Sequence, residues 1–110
     1  MEKFFYKKLV RDNIPEIIRM NGDVCETIIL NDVEFEIELR KKMVEESNEV
    51  LNSPKEKLID ELADVLELIK SLADANQLAM KDIENEMNLK REKRGGFDKK
   101  IFLEWSGTKE

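Results

Sequence analysis

Residues 35–50 read FEIELRKKMVEESNEV, and the spacing of their apolar members decides how the rest of the chain is understood. Phe35, Leu39, Met43, Glu46 and Val50 follow one another at steps of four, four, three and four, so at ~100° per residue they line one face of an α-helix. A glutamate therefore stands inside an apolar stripe. Removing an ionised carboxylate from water costs several kcal/mol even after relaxation, against whole-domain stabilities of roughly 5–15 kcal/mol. A proton or a cation has to compensate Glu46, and its acidic neighbours favour the cation.

The same helix carries a second apolar row, Ile37, Val44 and Leu51, at steps of seven. Two apolar faces on one helix predict burial on both sides, in a domain core and against a second subunit. Downstream, Ser53-Pro54 breaks the pattern as N-cap and first-turn residue of a next helix, expected from Pro54 to about Ala75. Leu58, Leu62, Val65, Ile69 and Leu72 form its stripe, roughly 80° wide. Glu61 falls about 60° and Asp64 about 120° to one side of the stripe's centre. Asp60 and Glu67 point to the opposite face, where solvent is expected.

Upstream, Asp12-Asn13-Ile14-Pro15 predicts the start of a short helix ending near Met20, with Asn21-Gly22 as its stop. Val24 to Leu30 has the β-branched character of a strand, and Asn31 or Asp32 caps the long helix, which ends near Asn52. Beyond a break at Asn76-Gln77, a last helix is expected from Ala79 to Arg94, ending at Gly95-Gly96. The tail, Phe97 to Trp105, alternates in part and is expected to pair with the strand at 24–30. The predicted fold class is mainly α, a helical hairpin or bundle with this short accessory β pairing, as a single domain over 1–110.

Composition narrows the chemistry. The 110 residues carry 40% charged side chains and a net charge of −6, which disfavours nucleic acid as a partner. Opposing that charge is a basic neck, with Lys90, Arg91, Lys93, Arg94, Lys99 and Lys100 set against only Glu92 and Asp98. The C-terminal end of a helix favours cations through its dipole, and that alone accounts for about half of the expectation. With no histidine and one cysteine, Cys25, neither a Ser-His or Cys-His nucleophile nor an ordinary zinc site can be assembled. No stretch has the length of a membrane span or the apolar core of a signal peptide, so a cytoplasmic protein is expected.

What remains is carboxylate chemistry. Glu46 and Glu49 are three residues apart, as are Glu61 and Asp64, so each pair projects from neighbouring turns of one helix. If the two helices fold back on each other, the pairs meet. Four carboxylates in one small volume repel unless neutralised, and hard oxygen ligands suit Mg²⁺ or Mn²⁺. Glu45 is then a fifth ligand or a base. The plain alternative is that these acids merely solvate a helix.

Glu45-Glu46-x-x-Glu49 followed by Glu61-x-x-Asp64, within Leu62-Ala63-Asp64-Val65-Leu66-Glu67, resembles the signature of MazG-type nucleoside triphosphate pyrophosphohydrolases, of the all-α NTP pyrophosphatase superfamily. Tyr6-Lys7-Lys8-Leu9-Val10-Arg11-Asp12-Asn13-Ile14-Pro15 and Lys90-x-x-x-Arg94-Gly95-Gly96-Phe97 are also similar to stretches of its small members, often related to phosphoribosyl-ATP pyrophosphohydrolase. Eleven residues separate Glu49 from Glu61, at the short end for that pattern. The resemblance implies metal ligation by Glu46, Glu49, Glu61 and Asp64, with Glu45 assisting. It further implies phosphate contacts by Lys90 and Arg94, hydrolysis of a nucleoside triphosphate to monophosphate and pyrophosphate, and assembly as a homodimer or homotetramer. Arg11 is a weaker phosphate candidate, for which a surface ion pair is the simpler expectation.

The expected function is thus Mg²⁺-dependent pyrophosphohydrolysis, with house-cleaning of the nucleotide pool as the family's common role. Phosphoribosyl-ATP is a narrower substrate alternative. A different class of function is a non-catalytic helical dimer that binds a nucleotide or a protein. Base identity is not readable from the sequence, although Trp105 is a candidate contact.

Overall fold

The computed structural model describes all 110 residues. It is all-helical, with α1 over Ile14–Met20, α2 over Asp32–Asn52, α3 over Leu58–Ala75 and α4 over Met80–Arg94. Two compact units divide it, Met1–Leu78 and Ala79–Glu110. The first is an antiparallel hairpin of α2 and α3, preceded by α1 and by an irregular N-terminal strap, residues 1–13.

Helix ends follow local chemistry. The Asn31 side chain accepts the Glu34 N–H at 2.9 Å, which starts α2 with Asp32 and Glu34 in the first turn, where carboxylates oppose the positive end of the helix dipole. Gly22, at φ +87°, takes the left-handed conformation after α1 that a side chain would resist. Between α2 and α3 the expected geometry is not realised. Ser53 does not cap α3; its hydroxyl donates back to the Val50 carbonyl at 3.3 Å, and its backbone is extended at ψ 146°. A residue before proline is held extended by the ring, and Lys55–Lys57 then make one 3₁₀ turn, so α3 begins at Leu58 rather than Pro54.

The buried core of the hairpin is small: Leu39 from α2, and Leu68 and Ala73 from α3. Around it Phe35, Met43, Val50, Val65, Ile69 and Leu72 are half-buried. On α2 the covered face is the one the spacing of 35–50 predicts, Glu46 included. On α3 the covered residues are Glu61, Asp64, Val65, Leu68, Ile69, Ser71, Leu72, Ala73 and Ala75, a face rotated roughly 60° from the predicted stripe towards the acids. Leu58 and Leu62 are consequently left exposed, beside Ile59 and Leu66.

The accessory β pairing is not formed. Neither 24–30 nor 97–105 adopts strand structure. A strand is held by a neighbour's backbone, and along 24–30 only Cys25 and Leu30 are even partly covered, Ile28 and Ile29 standing in solvent. In the second unit, α4 ends at Gly95, whose N–H reaches the Arg91 carbonyl at 2.8 Å, and Arg91 pairs with Asp98 at 2.9 Å. Phe97, Ile101, Phe102, Leu103 and Trp105 follow, all exposed.

Candidate metal centre

The hairpin sets α2 and α3 side by side, and the acidic pairs lie on the faces that meet. Carboxylate oxygens of Glu46, Glu61 and Asp64 come within 4.8 Å of one another, all three side chains being partly covered. Octahedral Mg²⁺ with ligands at about 2.1 Å spans oxygens up to about 4.2 Å apart. Three oxygens on one octahedral ion cannot all be trans, and cis pairs lie about 3.0 Å apart, so closing the trio around it takes carboxylate rotations that shift the oxygens by up to about 2 Å. Hard oxygen donors without histidine or thiolate suit Mg²⁺, Mn²⁺ or Ca²⁺.

Glu49, the fourth expected ligand, is exposed and stands outside the trio. It is still close enough to act on Glu61. Partial desolvation, then repulsion from Glu49, Asp60, Asp64 and Glu46, raises the Glu61 carboxyl above its ordinary value. Both effects disfavour the charged form of the carboxyl.

Cations of the chain itself occupy the edges of the cluster. From the strap, Arg11 donates through Nη2 to Asp64 Oδ1 at 2.7 Å, and Lys8 donates to Glu45 Oε1 at 3.1 Å. From α2, Lys42 lies 3.7 Å from Glu46 and 3.9 Å from Glu45. The Lys8 hydrogen bond, with the charges of Lys42 and Lys8, holds the Glu45 carboxyl below its usual value. Glu45 therefore stays charged but is a weak proton acceptor. The Arg11 guanidinium is held above its usual value by the Asp64 hydrogen bond first, then by the charges of Asp64, Glu67 and Glu46.

Lys90 and Arg94 lie in the last two turns of α4, in the second unit, both exposed. Lys42 went unnoticed in the sequence although it stands four residues before Glu46 on the same helix, a spacing that predicts contact. Lys8 had no such signal, because an irregular segment has no period from which to place it. Comparisons with protein-family models, with curated proteins and with solved structures return no match.

Proposed function

We propose that the chain is a divalent-metal-dependent nucleoside triphosphate pyrophosphohydrolase of the MazG type, releasing nucleoside monophosphate and pyrophosphate. The observation that carries this is the convergence of Glu46, Glu61 and Asp64, from two helices, within 4.8 Å, at the positions the sequence signature marks. Mg²⁺ or Mn²⁺ held by these three would polarise a phosphoryl oxygen and supply a bound water of lowered pKa.

The chain's own residues do the rest. Glu61, its carboxyl already raised, is the member of the trio most relieved by a cation. Glu49, whose charge acts on Glu61, is the fourth ligand that the sequence resemblance implies. Glu45, locked to Lys8, has to leave that lysine before it can take a proton from water, since its pairing weakens it as a base. Arg11 stands beside Asp64 as a cation available to a phosphate oxygen. Lys90 and Arg94 enter through the sequence resemblance alone, as charges that neutralise the leaving pyrophosphate.

Assembly as a homodimer or homotetramer belongs to the same proposal. The exposed rows Ile37, Val44, Leu51 and Ile59, Leu62, Leu66 are its natural seats. No helix is long and apolar enough to cross a membrane, and the cytoplasm is the proposed compartment.

The ion pairs Arg11–Asp64 and Lys8–Glu45 favour one rival, a non-catalytic helical module whose acids are satisfied internally. Incubating the purified protein with a panel of standard and damaged nucleoside triphosphates, with Mg²⁺ and with Mn²⁺, separates the two. Pyrophosphate release is expected; silence across the whole panel would overturn the catalytic assignment.

A further inference from the structure

Beside the acidic trio, the N-terminal strap and α2 enclose a cleft of about 180 Å³. Four of its lining side chains are lysines, Lys7 and Lys8 from the strap and Lys41 and Lys42 from α2, and two are glutamates, Glu38 and Glu45. The cleft thus holds a surplus of two positive charges in a chain whose net charge is −6. Both glutamates are already committed. Glu38 accepts from Lys41 at 3.2 Å, and Glu45 accepts from Lys8 at 3.1 Å.

Lys42 and Lys7 take part in neither hydrogen bond, although Lys42 is ion-paired at longer range with Glu45 and Glu46. The Lys42 side chain is only 19% exposed, yet its ammonium stands 3.7 and 3.9 Å from the nearest carboxylates, beyond hydrogen-bond reach. Its donors are thus not used by any hydrogen bond within the protein. Lys7 makes no ion pair and has a left-handed backbone at φ 47°, a conformation that resists a Cβ and is retained where the surroundings hold it.

We propose that this cleft is a subsite for a polyphosphate anion, whose oxygens fill the free donors of Lys7 and Lys42. Lysine suits the task as a compact charge able to follow several phosphate oxygens. The cleft also adjoins the trio, since Lys42 lines the one and faces Glu46 of the other. Identifying the anion as the phosphate tail of a nucleotide rests on the function proposed above; the anion site itself does not.

Calorimetric titration of sodium tripolyphosphate into the full chain, in metal-depleted low-salt buffer, tests it. One equivalent is expected to bind, Lys7→Gln and Lys42→Gln each weakening it roughly tenfold. Lys55→Gln, an equal charge change outside the cleft, is expected to leave binding unaltered. Absence of binding to the unaltered chain, or equal binding by all three variants, overturns the subsite. If Lys42→Gln loses helicity, Lys7→Gln decides alone, because Lys7 lies outside every helix. Parallel titrations with orthophosphate and ATP distinguish a single-phosphate site, which would refute the polyphosphate assignment, from one that takes a nucleotide's tail. Tripolyphosphate binding by a chain that fails to bind Mg²⁺ would uphold the cleft and sink the proposed catalysis.

Discussion

Arg11 and Asp64, 53 residues apart in the chain, share a 2.7 Å hydrogen bond from guanidinium Nη2 to carboxylate Oδ1. Both side chains are substantially exposed, so the pair contributes little to stability. Its importance is its place. A cation supplied by the strap sits on one of the three carboxylates that converge between α2 and α3, where a metal ion would otherwise supply the charge.

Arg11→Gln is therefore expected to tighten binding of Mg²⁺ to the trio. Removing one positive charge a few ångströms from a divalent ion relieves a repulsion of about 1 kcal/mol in high-dielectric surroundings, a gain of roughly fivefold in affinity. Calorimetric titration with MgCl₂ at low and high salt measures it, and screening should shrink the difference. Weaker binding by the variant would mean instead that Arg11 orients Asp64 for the metal.

Glu46→Gln keeps the shape of the side chain and removes its charge from the apolar face of α2. Helical circular dichroism is expected to survive, while the Mg²⁺-induced rise in melting temperature disappears. Turnover should fall by more than the roughly 10–100-fold typical of substitutions beyond the ligands themselves. A melting shift equal to that of the unaltered protein would place the metal elsewhere.

The metal-free protein should also respond to pH through Glu61 and Glu45, with opposite signs. The Glu61 carboxyl is raised in the folded state, so its protonated form is the one folding prefers. Its stabilising contribution is complete below the ordinary carboxylate range and is lost as pH rises through the raised value. Glu45 is lowered; its contribution is present above the ordinary range and fades only as pH falls through the lower value. Between about pH 7 and about pH 4.5 the Glu61 effect acts alone among the two. Urea midpoints should rise on acidification across that window, and Glu61→Gln should flatten the rise; identical profiles would contradict the crowding of charge at Glu61.

α2 was legible in the sequence because its spacing is local and regular. Phe35 to Val50 predict the covered face, and Asn31 caps the helix as its chemistry suggests. α3 was legible in extent at its C-terminal end but not in orientation. Periodicity finds the most apolar face, centred between Leu58 and Leu72, whereas packing against α2 buries Leu68 and half-buries Glu61 and Asp64, leaving part of the apolar stripe outside. The trio could be anticipated because all three acids ride on helices whose register follows from number alone. Lys8 and Arg11 reach the cluster from an irregular strap, and nothing in one-dimensional spacing fixes where such a segment lies. The β pairing of 24–30 with 97–105 failed as an expectation because β-branched composition marks a capacity for pairing, not the presence of a partner.

Leu39 is the side chain on which the hairpin most depends. It is 2% exposed, in a core that includes only two other buried residues, Leu68 and Ala73. Leu39→Ala should cost about 2–4 kcal/mol, a large fraction of any domain's stability, and lower the urea midpoint accordingly. A loss below about 0.5 kcal/mol, the range of surface substitutions, would place the core elsewhere.

The apolar edge that α3 turns away from α2 supplies the opposite case. Ile59 is 80% exposed and Leu66 57%, so within one chain Ile59→Asp changes little, about 0.5 kcal/mol or less. Were that edge buried against a second copy, the same substitution would place an unpaired carboxylate in an apolar interface, at a cost of several kcal/mol, enough to weaken association on the order of a hundredfold or more. Sedimentation equilibrium at micromolar concentration should show the unaltered chain as a dimer or larger and Ile59→Asp as a monomer that retains its helicity. An unaltered chain that sediments as a monomer would rule out assembly. Unchanged assembly of the variant would shift the contact to the row Ile37, Val44 and Leu51 on α2.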